Sequence, residues 1–527
     1  MGFNILKELD KPNKKGEVAF ARLSLALMFV FSVYLWTYVS HGDVPNNTFL
    51  IIGAVFGAYM AMNIGANDVA NNVGPAVGSK ALTLFGAIII AAIFESAGAF
   101  IAGGDVINTV KKGIIDPTLI GDPQVFIWAM TAALLSAALW LNFATSIGAP
   151  VSTTHSIVGG VMGAGIAAAG FSIVDWATMA KIASSWVISP LLGGVIAAGI
   201  LYYIKRSIIY KEDMILFAKK IVPILISIMI IVFSTYLILK GIKKIVKVDF
   251  VTALSISTLF GSIAYFFLKS KIAKTALMLD NTRASVNTLF TIPLIFSAAL
   301  LSFAHGANDV ANAIGPLAAI NDAIIGGGIS QKAEIPFWIL AVGAFGLVVG
   351  LALYGPKLIR TVGDEITELD QMRAFSIAMA AAITVIIASQ LGLPVSSTHI
   401  AIGGIFGVGF LREYLDGSES KYLEYTKEKL KTNKKLLEST LLELESFESL
   451  EKKTQADYEK ILELYKTIEN LQELVKDEKV DFKNAKKIQY VKRDAVKKII
   501  AAWLITVPTA AMISAGIFFM IKGIVVV

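Results

Sequence analysis

The stretch Gly65-Ala66-Asn67-Asp68-Val69-Ala70-Asn71-Asn72-Val73-Gly74-Pro75 returns far downstream as Gly306-Ala307-Asn308-Asp309-Val310-Ala311-Asn312-Ala313-Ile314-Gly315-Pro316. Each copy follows a long apolar run and sets an acid among amides, between a glycine and a Gly-Pro pair, where a helix is expected to break or unwind. One such acid reads equally as a local cap at a membrane surface. Two in register read as a working pair, because an ionisable group inside a membrane is costly and marks function.

Composition supports a membrane setting. The 527 residues are 55% hydrophobic and only 17% charged, with a mean hydropathy of +0.68. That balance lies outside the range of soluble globular domains, and apolar runs near the length of about 20 residues needed to cross a bilayer recur along most of the chain. Soluble enzymes are excluded on this ground. There is no cysteine, which removes disulfides, thiolate metal sites and a Cys nucleophile. The net charge of +7 comes from Lys and Arg in loops beside apolar runs, the pattern of cytoplasmic loops and not of a nucleic-acid surface.

Taken in order, residues 1–47 are a leader and a first transmembrane helix over about Phe20 to Tyr38, entered from Lys7, Lys11, Lys14 and Lys15, which places the N terminus in the cytoplasm and the C terminus outside. A first repeat, 48–206, has apolar segments near Phe49–Ile64, Lys80–Ala102, Val125–Ala144, Val151–Ala169 and Lys181–Ile204. Connecting spans near Ile221–Leu239 and Phe250–Leu268 fill 207–284 and read as scaffold. The second repeat runs over 285–411, with segments near Leu289–Ala304, Pro336–Tyr354, Phe375–Ser389 and Val395–Leu411, and closes with a last span in 498–527.

The repeats match beyond hydropathy. Gly98 and Thr109 correspond to Gly350 and Thr361, and Gly148-Ala149-Pro150-Val151-Ser152-Thr153-Thr154-His155 to Gly392-Leu393-Pro394-Val395-Ser396-Ser397-Thr398-His399. An odd number of spans separates their starts, so they lie in opposite orientations. The fold class is an all-α polytopic membrane protein of two inverted-topology repeats with broken or re-entrant helices, the signature of secondary transporters.

Residues 412–497 depart from this plan. They are strongly charged, with no Gly or Pro from Ser418 to Val507. Leu423, Leu430, Leu437 and Leu444 are spaced by sevens, and Tyr458, Ile461, Tyr465, Ile468 and Val475 form a second stripe, the pattern of a cytoplasmic antiparallel coiled-coil insert. It reads as a solvated spacer or as a dimerising or regulatory domain, with a second copy or a cytoplasmic protein as its partner.

The repeats bring together hard oxygen ligands suited to Na⁺ or Mg²⁺, and hydroxyls at helix starts suited to an anion. Asn67, Asp68, Asn308, Asp309, Ser152 and Ser396 are the candidate cation ligands, with Na⁺ at Asp68 and Asp309. Asn71, Asn312, Thr153, Thr154, Ser397 and Thr398 are the candidate oxyanion ligands. Without an arginine clamp, anion and cation each need the other in a low-dielectric site, which couples their movement. Glu95, Thr109, Thr361, His155, His305 and His399 are gating or coupling candidates. The histidines read either as proton relays or as neutral rings bonded to a carbonyl at a helix start. No cofactor is expected beyond a co-transported ion.

On the duplicated Gly-Ala-Asn-Asp-Val-Ala-Asn word the sequence closely resembles the inorganic phosphate transporter (PiT) family. The resemblance implies symport of inorganic phosphate with Na⁺ or H⁺, with Asp68 and Asp309 essential, and Glu95 in Phe94-Glu95-Ser96 looks like a family glutamate linked to transport. Leu347 stands where many relatives have a second glutamate. Proton-coupled metal-phosphate carriage and sulfate permeation are the nearest alternatives within the fold, and a channel or a receptor signalling through the insert is the alternative from another class.

Overall fold

The computed structural model describes residues 14–146, 151–241, 248–326, 335–365, 370–416, 418–450, 452–487 and 493–526. Among them the protein is helical, without a strand beyond an isolated bridge between Ile115 and Val174. Among the described residues eleven helices are long and apolar enough to cross a membrane. The chain falls into two compact units, Met1–Val408 with Asp494–Val527, and Gly409–Arg493.

In the first unit the helices are α1 (Lys14–His41), α2 (Asn47–Asn67), α3 (Val69–Gly78), α4 (Leu84–Ala102), α5 (Gly104–Lys112), α6 (Pro123–Ser146), α7 (Thr153–Ala169), α8 (Trp176–Ile204), α9 (Met214–Lys240), α10 (Phe250–Ala276), α11 (Arg283–Leu289), α12 (Thr291–Ile325), α13 (Phe337–Glu365), α14 (Gln371–Gln390) and α15 (Ser397–Asp416). The second unit holds α16 (Ser418–Glu448) and α17 (Gln455–Lys487), and α18 (Arg493–Val526) closes the chain. Starts are capped as the side chains dictate. Thr83 accepts the Gly86 N–H at α4, Asp175 accepts that of Thr178 at α8, and Ser152 and Ser396 accept those of His155 and His399. The Thr178 backbone and hydroxyl bonds hold the Asp175 carboxyl below the usual carboxylate range.

α12 is the central helix, buried along nearly its whole length, whereas α10 and α18 are buried on a narrow face and present large apolar side chains such as Phe266, Phe267 and Met512 outward, as lipid-facing helices do. The core is set by two crossings. α2 meets α13 so closely that the backbone of Leu347 fills the place of a Cβ on Gly65, and that of Met62 the place of one on Gly350. α12 meets α4 in the same way, Glu95 against Gly306 and Phe303 against Gly98. In the sequence match Gly65 corresponds to Gly306, Leu347 to Glu95, Gly350 to Gly98 and Met62 to Phe303. One contact is thus made twice with the partners exchanged, by small residues that let backbones approach.

The Asn-Asp words interrupt a helix in the first copy only. α2 runs past the expected end at Ile64 to Asn67, and Asp68 is a single joint of right-handed helical backbone (φ −86°, ψ −29°) before α3. The second word lies wholly within α12, which continues past the expected end at Ala304. Each motif therefore sits inside a span and not between two. At Asp68 the ladder is kept, since its N–H still donates to Ile64 O at 2.9 Å, while Pro75 and Pro316 each take the amide donor from the carbonyls of Asn71 and Asn312 and crowd them. Wider breaks fall at the hydroxyl runs. Val151 and Ser152 precede α7 as non-helical chain, and Leu393–Ser396 do the same before α15 after Gly392, whose φ of +66° suits glycine. Gly148, Ala149 and Pro150 lie outside the described residues, as do residues 242–247 of the basic loop.

In the second unit α16 and α17 form a helical hairpin. Leu430, Leu437 and Leu444 face Leu464, Ile468, Leu471 and Val475. The α17 stripe differs from expectation: Tyr458 and Tyr465 are exposed and Leu464 and Leu471 take the core, because the Tyr465 hydroxyl reaches outward to donate to Glu448 at 2.6 Å. Near the other end Asn433 donates to the buried Glu478 at 2.6 Å. These pairings fix the two helices as antiparallel.

Candidate functional site

Both motif copies, both hydroxyl runs and Glu95 meet in one buried cluster. The Thr153 hydroxyl donates to Asp68 Oδ2 at 2.7 Å, and the Ser397 hydroxyl, its repeat counterpart, to Asp309 Oδ2 at 3.0 Å. Each acid thus takes a hydroxyl from its own repeat. The amides cross over: Asn71 donates to Thr398 Oγ1 at 2.8 Å, and Asn312 to Thr154 Oγ1 at 3.0 Å and Thr153 Oγ1 at 3.3 Å. The Thr398 hydroxyl also points to Asp68 Oδ1 at 3.3 Å, and that of Thr154 donates to Val395 O at 2.9 Å. The oxyanion candidates therefore contact the cation candidates directly.

The remaining candidates fall in three groups. Asn308 holds the second chain reversal, its amide donating to Ser389 Oγ at 3.0 Å and Leu393 O at 3.1 Å while its carbonyl accepts from Val395 N at 3.2 Å. Ser152 and Ser396 cap α7 and α15 at the edge of the cluster, and Asn67 is half-buried at the end of α2. Thr109 donates to Gly392 O at 2.7 Å, tying α5 to the second reversal. Thr361 lies in α13, with its side chain outside the described residues.

The histidines fall at two places. His305 lies between two carboxylates, Nδ1 3.1 Å from Glu95 Oε1 and Nε2 2.8 Å from Asp309 Oδ2. An imidazole with one proton can donate to only one of them. His155 packs its ring on Trp186 at a centroid distance of 3.9 Å and edge-on to His399 at 4.8 Å, so the histidines of the two hydroxyl runs touch each other. Glu95 is brought fully into the site, since Asn72 donates to its Oε1 at 2.9 Å.

What this arrangement can hold follows from its spare atoms. Asp309 Oδ1 and Asn312 Oδ1 are buried oxygens without a hydrogen-bond partner among the described residues, and such acceptors are costly unless something positive meets them. Asp68, Asp309 and His305 each offer one ligand atom within 4.8 Å of the others. The carboxylate, amide and hydroxyl donors suit a hard cation. Sequence reasoning missed Ser389 and the buried ion pair of Lys111 with Asp322; neither carries a motif, and only the packing of α5 and α14 on α12 reveals them.

A polytopic helical protein whose buried acids, amides and helix-start hydroxyls converge between paired hairpins has the build of a membrane permease. The chain matches the phosphate transporter family over residues 64–514 and belongs to that family. It is 49% identical over 520 residues to a protein of Helicobacter pylori strain J99 named as a phosphate permease, covering 97% of both chains. A relative of like name from Pyrococcus abyssi is 40% identical over 363 residues, matching 89% of its own length and 69% of this chain. Among solved structures, one described as the sodium-dependent phosphate transporter superposes with a TM-score of 0.72 at 32% identity, covering 91% of this chain and all of that one. The family is one of transporters and not of enzymes.

Proposed function

We propose that the protein carries inorganic phosphate across the cell membrane by symport with Na⁺. One observation carries this reading: the hydroxyls of Thr153, Thr398 and Ser397 are hydrogen-bonded to the carboxylates of Asp68 and Asp309. A cation bound at a carboxylate weakens its hold on those protons and frees the hydroxyls, with the Asn71 and Asn312 amides, to donate to an oxyanion. The anion then lies beside the cations that compensate it. Neither ion is stable alone in a buried site, so each raises the affinity for the other. The sodium-dependent relative supports Na⁺ as the coupling ion.

The reciprocal contacts of α2 with α13 and α12 with α4 favour two repeats of opposite orientation, and the lysine-rich leader favours a cytoplasmic N terminus. On this reading the two hairpin starts are the elements that expose the cluster to one side and then the other. A second reading, H⁺ as the coupling ion, is favoured by His305, which bridges Glu95 and Asp309. Proteoliposomes loaded without phosphate decide between them. Uptake of labelled phosphate driven by an inward Na⁺ gradient at equal pH supports Na⁺; uptake that follows the pH gradient and is indifferent to choline replacing Na⁺ overturns it.

A further inference from the structure

Beyond the cluster, α12 reaches a second polar feature. About ten residues after Asn312, some 15 Å along the helix axis, Asp322 pairs with Lys111 of α5, and both side chains are almost wholly buried. The pair lines a cavity of about 680 Å³ walled by α5, the end of α12 and the turns that follow α5 and α7. Lys112 lines the same cavity. Two elements that hold the cluster thus also wall the cavity, α12 through Asp309 and Asn312, and α5 through Thr109 on Gly392 O.

We propose that this cavity is a receiving station for the transported oxyanion, in which Lys111 exchanges the carboxylate of Asp322 for a phosphate oxygen before the anion passes to the hydroxyl cluster. The inference rests on the phosphate reading above. A buried ion pair is expensive to break but cheap to exchange, because removing one partner strands the other charge while a new anion compensates it. A tetrahedral dianion offers what the carboxylate offers, with more acceptor oxygens. Lys112 is the second positive charge on that wall, available to Asp322 once Lys111 has turned. The other acids of the cavity have hydrogen bonds of their own. Asp116 accepts the Thr118 N–H and hydroxyl at 3.0 and 2.6 Å, and Asp175 those of Thr178, both at 2.9 Å. Each is occupied in capping its own turn.

The test is phosphate uptake by purified protein in proteoliposomes at saturating Na⁺, with wild type, Lys111→Met and the charge-neutral double variant Lys111→Met/Asp322→Asn. The double variant removes both charges of the pair, whereas the single one strands Asp322. The expected result is a KM for phosphate raised about tenfold or more in the double variant, the scale of a charged hydrogen bond. Its Na⁺ half-saturation at saturating phosphate should stay within about twofold of wild type. A double variant with the wild-type KM makes the pair merely structural and overturns the proposal alone. Wild-type vesicles that take up no phosphate in a Na⁺ gradient overturn the symport reading, and this inference with it.

Discussion

Thr153 gives its hydroxyl proton to Asp68 over 2.7 Å, so a residue read as an anion ligand and one read as a cation ligand share a single hydrogen bond. The consequence is a linked loss. Asp68→Asn and Asp309→Asn should each weaken Na⁺ and phosphate binding together, and in every variant the factor by which Na⁺ raises phosphate affinity must equal the factor by which phosphate raises Na⁺ affinity. Thr153→Ala or Ser397→Ala should cost about 1 to 3 kcal/mol in phosphate binding where the partner stays buried, with a smaller effect on Na⁺ alone. Calorimetric titration of each ion in the presence and absence of the other reads both quantities. Unchanged Na⁺ affinity in Asp309→Asn would remove that carboxylate from the cation site.

Glu95 should act through the groups it holds. Replacing it by Leu, the residue at the equivalent position of the second repeat, leaves Asn72 Nδ2 without its acceptor and removes the carboxylate beside His305 Nδ1, at about 1 to 3 kcal/mol for the buried donor. Glu95→Gln keeps an acceptor oxygen and should melt closer to wild type in detergent while transport falls in both. Equal melting temperatures for the Leu and Gln variants would show that these bonds do not stabilise the site.

The two helix crossings make a prediction about packing. Gly65→Ala and Gly306→Ala each force a Cβ into the backbone of the opposite helix, and overpacking of this kind costs about 1 to 3 kcal/mol or more. Because backbone must move, both variants should lose thermal stability together with ion binding. Gly516→Ala, which meets nothing within 4 Å, is the control and should melt like wild type in the same fluorescence assay.

The duplicated motif made the membrane class, the repeat pairing and nearly the whole cluster legible, because Asn71, Asp68 and their counterparts are polar where neighbours must be apolar. What escaped was anything set by tertiary contact. A helix-breaking word stayed helical in α12 because the opposing hairpin satisfies the Asn308 amide. The carboxylate partners of His305 were not legible, since Glu95 comes from α4, 210 positions earlier in the chain. The α17 core stripe slipped from tyrosines to leucines because a tyrosine can keep its hydroxyl wet only at the edge of a hairpin.

The hairpin of α16 and α17 should be dispensable for carriage. It forms a compact unit of its own over Gly409–Arg493, with an internal apolar stripe and its own buried polar pair at Asn433 and Glu478. The Pyrococcus relative, matched over 89% of its length by 69% of this chain, is a shorter protein of the same family. Replacing Ser418 to Lys492 by a short polar linker should therefore leave Na⁺-driven phosphate uptake in proteoliposomes within about twofold of wild type, as expected when sites share no partners. A monodisperse, ion-binding variant that transports nothing would give the hairpin an obligate part in gating or assembly.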